Sequence, residues 1–536
     1  MALPIIPALA ACLVLAYLTY TYIIHPAFLS PLSRVPNAHW SAPISPLWVL
    51  YHRLFQNDTR AVHAAHTELG PIIRLAPNEL SLNCVDGGIR TIYAGGYAKG
   101  DWYSNVFSNY GVQPMFAMPE HGPHSKRKRM LSNIYAKSTL QGNEGVGRIS
   151  RALLHERLLP RLEAVAGSGK PTEVYDIFSS VTMDFVAAYV FGLRNGSDFL
   201  RQPEFAKKFV KDYKARQLYT FWPQEMPRFT DFISRVGLLG LIVPKWVTRS
   251  NHDIEDWIIS MCDRAEASLT NGGAEKGEVG AAEDYPTVYA QLRTALIKDI
   301  SKSDLELSVE QIAKTHRLDM ASEMLDHVLA GFDTSSITLT WLAWQLSRPC
   351  NVQWQSKLQT EIDALRNPED AKEIDTLPIL NAILMETLRL HAAIPGNQPR
   401  VTPPAATLGE PGHALSALPA GIRVQSQAWS LHRNPEVFPD PYAWNPGRWL
   451  ESSEAQLKEM GRWFWAFGSG GRMCVGSNLA MLEMKNVMVA VWSAFLTSIA
   501  DDSGMIANGG YLAEPMGKDG KFLLLQLEKR RRGVLS

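Results

Sequence analysis

One cysteine of the chain lies in a glycine-rich stretch near the C-terminal end. Residues 467 to 476 read FGSGGRMCVG, and Cys474 is the only cysteine after Cys350. The glycines permit a tight, partly positive-φ loop whose backbone can lie against a flat cofactor, and the helix predicted after Cys474 presents its positive end, which favours thiolate over thiol. Arg472 is within reach of a cofactor carboxylate, and Phe467 is placed to shield the sulfur from water. A lone cysteine is usually a small buried hydrophobe, but the glycines favour a ligating thiolate here.

The full pattern FxxGxRxCxG, completed by Gly470 and Gly476, is unusually specific. At average composition its chance is ~10⁻⁷ per start position. A thiolate in such a loop meets the needs of a haem-iron ligand, where electron donation from sulfur favours O–O cleavage. The stretch resembles the haem-ligand loop of the cytochrome P-450 superfamily of haem-thiolate monooxygenases. The resemblance implies haem b, with Cys474 as the metal ligand and with Phe467, Gly470, Arg472 and Gly476 around it.

A second stretch, AGFDTSS, resembles the oxygen-activation motif of this superfamily, A-G-x-D/E-T-T/S. It lies in a predicted helix from about Leu318 to Leu346 that is too long and apolar for the surface. Gly331 is expected to loosen this helix locally beside the cofactor, and Asp333 and Thr334 are the expected catalytic proton donors. Alone, such a string in a helix more often serves packing and capping. The cysteine loop downstream, in the right order, favours the catalytic interpretation.

A third motif concerns structure rather than chemistry. Glu386 and Arg389 have the spacing of the ExxR pair of the family, on an amphipathic helix predicted from Leu377 to His391. The stretch PYAWNPGRWL resembles the FxPxRW signature, with Trp444 where Phe is usual, and supplies Arg448. An isolated ExxR pair is ordinarily a surface ion pair. The cysteine loop downstream instead favours a buried network of Glu386, Arg389 and Arg448.

Basic residues elsewhere are candidates for contacts with the haem propionates. The run HGPHSKRKR, residues 121 to 129, would ordinarily be a solvated basic face. In the family, a Trp or His followed four residues later by a basic residue contacts the propionates. His124 and Lys128 match that spacing, and Arg129 is a competing candidate. Arg400 in GNQPR matches a further propionate-contacting position of the family.

The N-terminal residues differ from the rest of the chain. The run from Ile5 to Ile24 is uncharged and long enough to cross a bilayer core of roughly 30 Å. No basic residue precedes it, which argues against a cleaved signal peptide. We expect an anchor over residues 1–25, a proline-rich linker over 26–50 and a catalytic domain over 51–536. The first charge is Arg34, which places the body on the cytosolic side of a membrane, by family analogy that of the endoplasmic reticulum.

Composition excludes other classes of protein. Lys+Arg and Asp+Glu are both 53, so no net field favours nucleic acid. Five scattered cysteines without a CxxC pair form neither a disulfide framework nor a zinc site.

Strand signals are few, apart from a hairpin at residues 71–83, whereas helical periodicity is widespread and continues in a helix from about Val475 to Ala494. Residues 271–283 are predicted to be a flexible connection, and residues 528–536 a frayed basic tail.

These patterns predict a mainly α fold with a small β component, of one domain or two. The resemblance extends to about Leu527 and implies the P-450 fold, a triangular helical body with a long core helix after one transmembrane helix. Its linker and hairpin look most like membrane-bound enzymes of filamentous fungi, many of which tailor secondary metabolites. No obligate oligomer is expected.

Substrate contacts are expected from the family positions of three segments. They are Tyr110 to Met118, the core-helix face of Leu325, Val328 and Leu329, and the aromatic stretch Tyr219 to Trp222. They suggest an apolar, fairly large substrate. The apolar run from Val236 to Val243 is most simply buried core, but it could instead dip into the membrane as a route for lipophilic substrates.

The resemblance implies a monooxygenase that oxidises a lipophilic small molecule, with fungal secondary-metabolite intermediates as the expected substrates. Too few residues follow Cys474 for a flavin domain, so electrons are expected from a separate, membrane-bound NADPH reductase, with Lys126 to Arg129 as a docking candidate. One alternative is a reductase-independent haem-thiolate isomerase or dehydratase, against which the intact Asp333-Thr334 pair argues. Another is a non-catalytic haem-binding protein.

Overall fold

The structure is a computed structural model that describes residues 5–271, 281–300, 311, 314–410, 412, 414–517 and 521–530. Most of the predicted connection at 271–283 and of the basic tail at 528–536 lies outside the described residues. The α-helices are α1 (Ile5–Thr19), α2 (Leu47–Leu54), α3 (Asp58–Leu69), α4 (Asp101–Phe107), α5 (His121–Leu131), α6 (Lys137–Gly142), α7 (Glu144–Leu153), α8 (Leu159–Ser168), α9 (Val174–Phe191), α10 (Pro203–Gln217), α11 (Phe221–Glu225), α12 (Pro227–Arg235), α13 (Lys245–Asn271), α14 (Thr287–Ile300), α15 (Arg317–Ser347), α16 (Val352–Asp363), α17 (Ala371–Asp375), α18 (Pro378–Leu390), α19 (Ala428–Leu431), α20 (Arg448–Glu451), α21 (Glu454–Trp463) and α22 (Ser477–Ala494).

The strands form small sheets at the edge of this helical body, so the predicted fold class is confirmed. The strands are β1 (Ile72–Ala76), β2 (Glu79–Leu82), β3 (Thr172–Glu173), β4 (Arg400–Val401), β5 (Ala406–Leu408), β6 (Leu415–Leu418), β7 (Arg423–Gln425), β8 (Phe495–Asp501) and β9 (Leu524–Lys529). Their orders are β1-β2-β7-β4, β3-β9-β8 and β5-β6. The predicted hairpin is confirmed as β1 and β2, which are antiparallel with Ile72 opposite Leu82.

The longest helix, α15, is the core helix, and its bounds agree closely with the predicted Leu318 to Leu346. It packs along α9, which is buried over almost its whole length because its sequence is apolar on every face. Two further predicted helices are also found, as α18 and α22. The core helix therefore passes through the centre of the molecule, with α22 directly after the cysteine loop.

The N-terminal apolar run is an exposed helix. The helix Ile5–Thr19 continues as a wider π-type turn through Leu29, and Pro7–Leu29, 23 residues without a buried residue, is long enough to span a membrane. The second apolar helix of that length, Val174–Phe191, is 94% buried and belongs to the core. Only the N-terminal helix is thus free to enter a bilayer among the described residues.

The proline-rich segment after this helix packs onto the body. Leu32 and Val35 are buried beside the β1-β2-β7-β4 sheet. The Ala38 amide donates to the carbonyl of Arg74, whose guanidinium donates to the Pro26 carbonyl at 2.8 Å. These contacts fix where the N-terminal helix leaves the body.

The apolar run from Val236 to Val243 is not buried core, and that prediction was wrong. Leu241 is 80% exposed, and Val236 and Leu238 are each about half exposed. The run lies between α12 and α13, and its glycines give it turn geometry rather than a helix that could bury one face. It forms an exposed apolar patch.

Candidate active site

The cysteine loop is closed by its own backbone. The Cys474 amide donates to the Phe467 carbonyl at 3.0 Å, and the turn between them contains Gly468 and Gly470, both at φ +69°. A Cβ at Gly470 would lie 2.3 Å from the carbonyl oxygen of Tyr93. Glycine is therefore required at 470 both by conformation and by the close approach of the neighbouring backbone.

Donors converge on the sulfur of Cys474. The amides of Gly476 and Ser477, at the start of α22, donate to it, and Lys128 lies close enough to favour its ionised form. Burial raises the pKa of Cys474, whereas these amides and Lys128 lower it. Cys474 is also exposed. Coordination to a metal would deprotonate this thiol.

The core helix has one accessible strip. Between Met320 and Ala343 every residue is buried except Asp326, Ala330, Gly331 and Thr334. Asp326, Ala330 and Thr334 are spaced by four residues and share one helix face, which we call the accessible strip. The charge of Asp326 raises the pKa of Cys474. The strip and the cysteine are therefore close to each other.

Gly331 acts differently from the prediction. The core helix is unbroken through it, so the expected local loosening is not found. A Cβ at Gly331 would lie 2.7 Å from Cγ2 of Val186 on α9. The glycine thus allows close packing of the two central helices, behind the accessible strip.

Asp333 and Thr334 point in different directions. The Thr334 hydroxyl is on the accessible strip and donates to the Ala330 carbonyl at 2.9 Å. Asp333 is buried on another face, where Lys214 of α10 donates to its carboxylate. Lys214 also donates to Glu514 at 2.6 Å. A proton route through Asp333 therefore requires Lys214 to move.

The structure brings Glu386, Arg389 and Arg448 together in the interior. Arg389 and Glu386 form two parallel bonds of 2.8 and 2.9 Å, and Arg448 donates to Glu386 at 3.1 Å. The Trp449 indole and the Asn445 amide donate to the same carboxylate. Arg389 also donates to the carbonyls of residues 432, 441 and 443. The Glu386 cluster thus joins α18 to the segment that precedes the cysteine loop.

Five basic side chains form a second interior cluster, the cation cluster. They are Lys99, His124, Lys128, Arg400 and Arg472. Their mutual repulsion lowers several of their pKa values: burial and Arg400 hold the pKa of Lys99 well below its ordinary value, and burial and Arg472 lower that of His124 to about 3. None of the five forms an ion pair within the described residues. A cluster of this kind suits a ligand with carboxylates.

The cations are held by neutral partners. Lys128 donates to the carbonyls of Gly471 and Met473, both at 3.0 Å. Arg472 donates to the carbonyls of residues 118 to 120, and Arg400 to the Tyr103 hydroxyl at 2.8 Å. The Nε of Arg400 is buried without a partner. This orphaned donor, the lone thiol and the unpaired cations together fit a haem with its two propionates.

Two expectations on site residues need correction. Arg129 is exposed and does not join the cation cluster, because it lies one residue beyond the face shared by His124 and Lys128. The core-helix face of Leu325, Val328 and Leu329, expected as a pocket wall, is packed into the hydrophobic core. The accessible strip lies on the face next to it.

Lys99 and Asp326 were missed by the motif analysis. Lys99 is 4% exposed and donates to the Phe116 carbonyl at 2.5 Å. Neither residue lies in one of the stretches whose spacing is specific. The helical position of Asp326, one turn before Ala330, could have indicated it. No local sequence pattern identifies Lys99 as a site residue.

A long core helix that faces a glycine-cradled cysteine, beside unpaired cations, defines a haem-thiolate protein. The family model described as Cytochrome P450 matches residues 45–510, and the chain belongs to this family. The family implies a cysteine-ligated haem, and the residues described above are the ones that would hold it.

Curated relatives agree with the family. A cytochrome P450 monooxygenase of Aspergillus versicolor, avaI, is 27% identical, over 80% of this chain and 95% of its own length. One of Aspergillus niger, orf2, is 27% identical over 89% of this chain and 88% of its own length. Tryprostatin B 6-hydroxylase of Aspergillus fumigatus is 26% identical over 87% of this chain and 75% of its own length. The protein is a P450 monooxygenase of the fungal secondary-metabolism type.

Proposed function

We propose that the protein hydroxylates or otherwise oxidises a lipophilic small molecule, an intermediate of fungal secondary metabolism, with O₂ and electrons from a separate NADPH reductase. The observation that carries this proposal is the accessible strip of the core helix, which lies close to Cys474, next to the unpaired cation cluster. The relatives support the substrate class, since one of them is named for the hydroxylation of tryprostatin B.

The residues of this chain have separable roles. When bound, a thiolate-ligated haem supplies reductive activation of O₂ and oxidation of a C–H bond. Cys474 would ligate the iron, and the amides of Gly476 and Ser477 would hold its sulfur in place. The cation cluster would neutralise the propionates and fix the plane of the haem.

Proton delivery rests on the core helix. Thr334 presents its hydroxyl on the accessible strip and can pass a proton there once it leaves the Ala330 carbonyl. Asp333 is an ionised carboxylate in its ion pair with Lys214, so it would take up a proton from solvent when the pair opens toward α10 and then pass that proton on. Exclusion of water follows from the buried faces on both sides of the strip.

We propose that the protein acts at the surface of the endoplasmic reticulum membrane. Residues 1–25 would anchor the chain to the endoplasmic reticulum and residues 26–50 would connect the anchor to a cytosolic catalytic domain. The exposed patch of Val236, Leu238 and Leu241 would touch the same bilayer and receive lipophilic substrate from it. Lys126 and Arg129 are exposed on α5 near the cysteine loop and would help the reductase to dock.

The test is reconstitution of the full chain in lipid vesicles with an NADPH–P450 reductase, isotopically labelled O₂ and a library of fungal metabolites. We expect products that gain one labelled oxygen atom and require both NADPH and reductase. Conversion without NADPH, and without label in the product, would instead show an isomerase or dehydratase. A charge reversal at Lys126 and Arg129 that leaves the rate of reduction unchanged would remove the docking role.

A further inference from the structure

Residues 110–118, between α4 and α5, form a run of turns that the core helix holds in place. Ser322 of the core helix donates to the Val112 carbonyl at 2.8 Å, and the Met115 amide donates to Glu323 at 3.0 Å. Ser322 and Glu323 are fully buried. The position of a run of turns depends on contacts of this kind, because it lacks the regular hydrogen bonds of a helix or a sheet. Two adjacent side chains therefore fasten the segment that is expected to contact substrate.

Glu323 holds a second element through the same carboxylate oxygen. Its Oε2 accepts from the Arg127 guanidinium of α5 at 3.3 Å as well as from the Met115 amide. The Arg127 side chain is only 13% exposed, so it supplies a close counter-charge to the buried carboxylate. The next residue of α5, Lys128, donates to two carbonyls of the cysteine loop. One carboxylate thus joins the 110–118 segment and α5 to the core helix.

The other carboxylate oxygen of Glu323 faces a histidine. Glu323 Oε1 lies 3.3 Å from Nε2 of His327, one turn later on the core helix, and neither atom has a hydrogen-bond partner among the described residues. The second ring nitrogen of His327, Nδ1, shares a 2.6 Å hydrogen bond with the Tyr135 hydroxyl. When that hydroxyl donates, a neutral His327 carries its hydrogen on Nε2, which is the atom that faces Glu323. The carboxylate is thus flanked by Arg127 on one side and by His327 on the other, and both limit its rotation.

We propose that Glu323 is a positioning residue for the substrate, because it holds the 110–118 segment in place as one wall of the substrate site. The inference rests on the proposed function and specifies which side chain fixes that wall. Glu323 acts through the segment and not on the ligand itself. A wall that is already ordered costs no conformational entropy when a ligand packs on it. Bulky ligands therefore gain affinity from Glu323, whereas a ligand too small to reach the segment does not.

The experiment measures ligand binding to the full-length holoenzyme by the change in haem absorption, and amide hydrogen exchange of residues 110–118 by mass spectrometry. The probes are N-methylimidazole and N-tritylimidazole, which share a ligating nitrogen and differ in bulk. The variants are Glu323→Ala and the milder Ser322→Ala, which loosens the same segment without removing a buried charge. The control is Glu173→Ala, at a largely buried glutamate that also accepts backbone amides, those of Phe522 and Leu523, in another part of the fold.

We expect Glu323→Ala to weaken binding of N-tritylimidazole by about 10-fold, which corresponds to the loss of one charge-assisted hydrogen bond, and that of N-methylimidazole by less than about 2-fold. Amide exchange of residues 110–118 should become faster in the same variant. Ser322→Ala should act in the same direction by about 3-fold. Glu323→Gln, which keeps an oxygen for the Met115 amide, should recover most of the lost affinity. Glu173→Ala should lower stability and leave the ratio of the two affinities unchanged.

Two results would overturn the inference. One is a ratio of the two affinities that Glu323→Ala and Ser322→Ala leave unchanged; the other is an equal change of that ratio in Glu173→Ala. If Glu323→Ala yields no holoprotein, Ser322→Ala alone decides between these outcomes. Either contrary result, obtained with parent protein that shows the haem-thiolate spectrum with carbon monoxide, leaves the proposed monooxygenase function intact. A parent protein without that spectrum would instead refute the proposed function.

Discussion

Two interior clusters of charge differ in how far the protein itself neutralises them. In the Glu386 cluster, one carboxylate faces Arg389 and Arg448, and backbone carbonyls accept the remaining guanidinium hydrogens of Arg389 and one from Arg448. In the cation cluster, Lys99, Arg400 and Arg472 face one another, and none of them forms an ion pair with a carboxylate in the described part of the chain. The first cluster is complete without a ligand, and the second is not.

The difference indicates two kinds of function. A neutralised buried network stabilises the fold, since removing one partner leaves an unpaired charge. An unneutralised cluster destabilises the empty protein and becomes favourable only when an anionic ligand arrives. Removing one charge should therefore destabilise the fold in the Glu386 cluster but not in the cation cluster.

The largest effect is expected for Glu386→Gln. It leaves Arg389 and Arg448 buried without a counter-charge, so the free energy of unfolding should fall by about 3–5 kcal/mol, and haem should not be retained. Denaturant unfolding and haem content measure this. Glu451→Gln, at an exposed glutamate in the same region, is the control and should behave as the parent. Parent-like stability of Glu386→Gln would mean that the cluster is not structural.

Arg400→Met should separate binding from folding. It removes one member of the cation cluster together with its unpartnered Nε, so the apoprotein should keep its stability within about 1 kcal/mol, whereas haem affinity should fall by about 100-fold. Haem affinity is measured by transfer of haem to a competing apoprotein, and apoprotein stability by denaturant unfolding. The haem affinity of Arg400→Lys should lie between those of the parent and Arg400→Met. A loss of apoprotein stability as large as that of Glu386→Gln would erase the distinction between the clusters.

A third cluster sharpens the comparison because it has an excess of acid. Arg53 and Arg423 face Glu79, Glu225 and Asp58, and burial with Glu225 raises the pKa of Asp58 to about 7. The folded protein thus keeps a proton on Asp58 that the unfolded chain releases at the ordinary aspartate pKa of 3.8. The free energy of unfolding therefore falls as pH rises from about 4 to 7.

Asp58→Asn should remove that dependence. The variant is expected to be more stable than the parent by ~1–2 kcal/mol at pH 8 and equal to it near pH 4, where both side chains are neutral. Thermal unfolding across this pH range is the measurement. A variant that is less stable than the parent at pH 8 would show that the ionised carboxylate is needed by Arg53.

The smallest effect is expected for Trp444→Phe, which restores the residue usual in the family. Trp444 donates to the Thr387 hydroxyl at 3.1 Å, and Thr387 still donates to the Ile383 carbonyl without it. The change should therefore cost about 1 kcal/mol and leave haem content unchanged. A loss comparable to that of Glu386→Gln would show that Trp444 belongs to the Glu386 cluster.

The sequence allows some of these features to be predicted and not others. The cysteine loop, the Glu386–Arg389 spacing and the core helix follow from local patterns, because neighbours along the chain determine them. The partners of a charge come from distant segments, so the lack of an ion-pair partner at Lys99 and at Asp326 in the described part of the chain is visible only in three dimensions. The face of a buried helix that stays accessible is equally hidden from the sequence, since every face of the core helix is apolar enough to pack. Leu325 and Val328 were placed on the wrong face for this reason.

The measurement that tests the account most directly is the absorption spectrum of the purified, dithionite-reduced protein with and without carbon monoxide. Only a thiolate opposite carbon monoxide gives the strongly red-shifted Soret band. We expect this band in the parent protein, its loss in Cys474→Ser and its retention, at reduced haem content, in Arg400→Met. A parent protein that binds no haem, or a Cys474→Ser variant that keeps the band, would contradict the assignment of the cysteine loop.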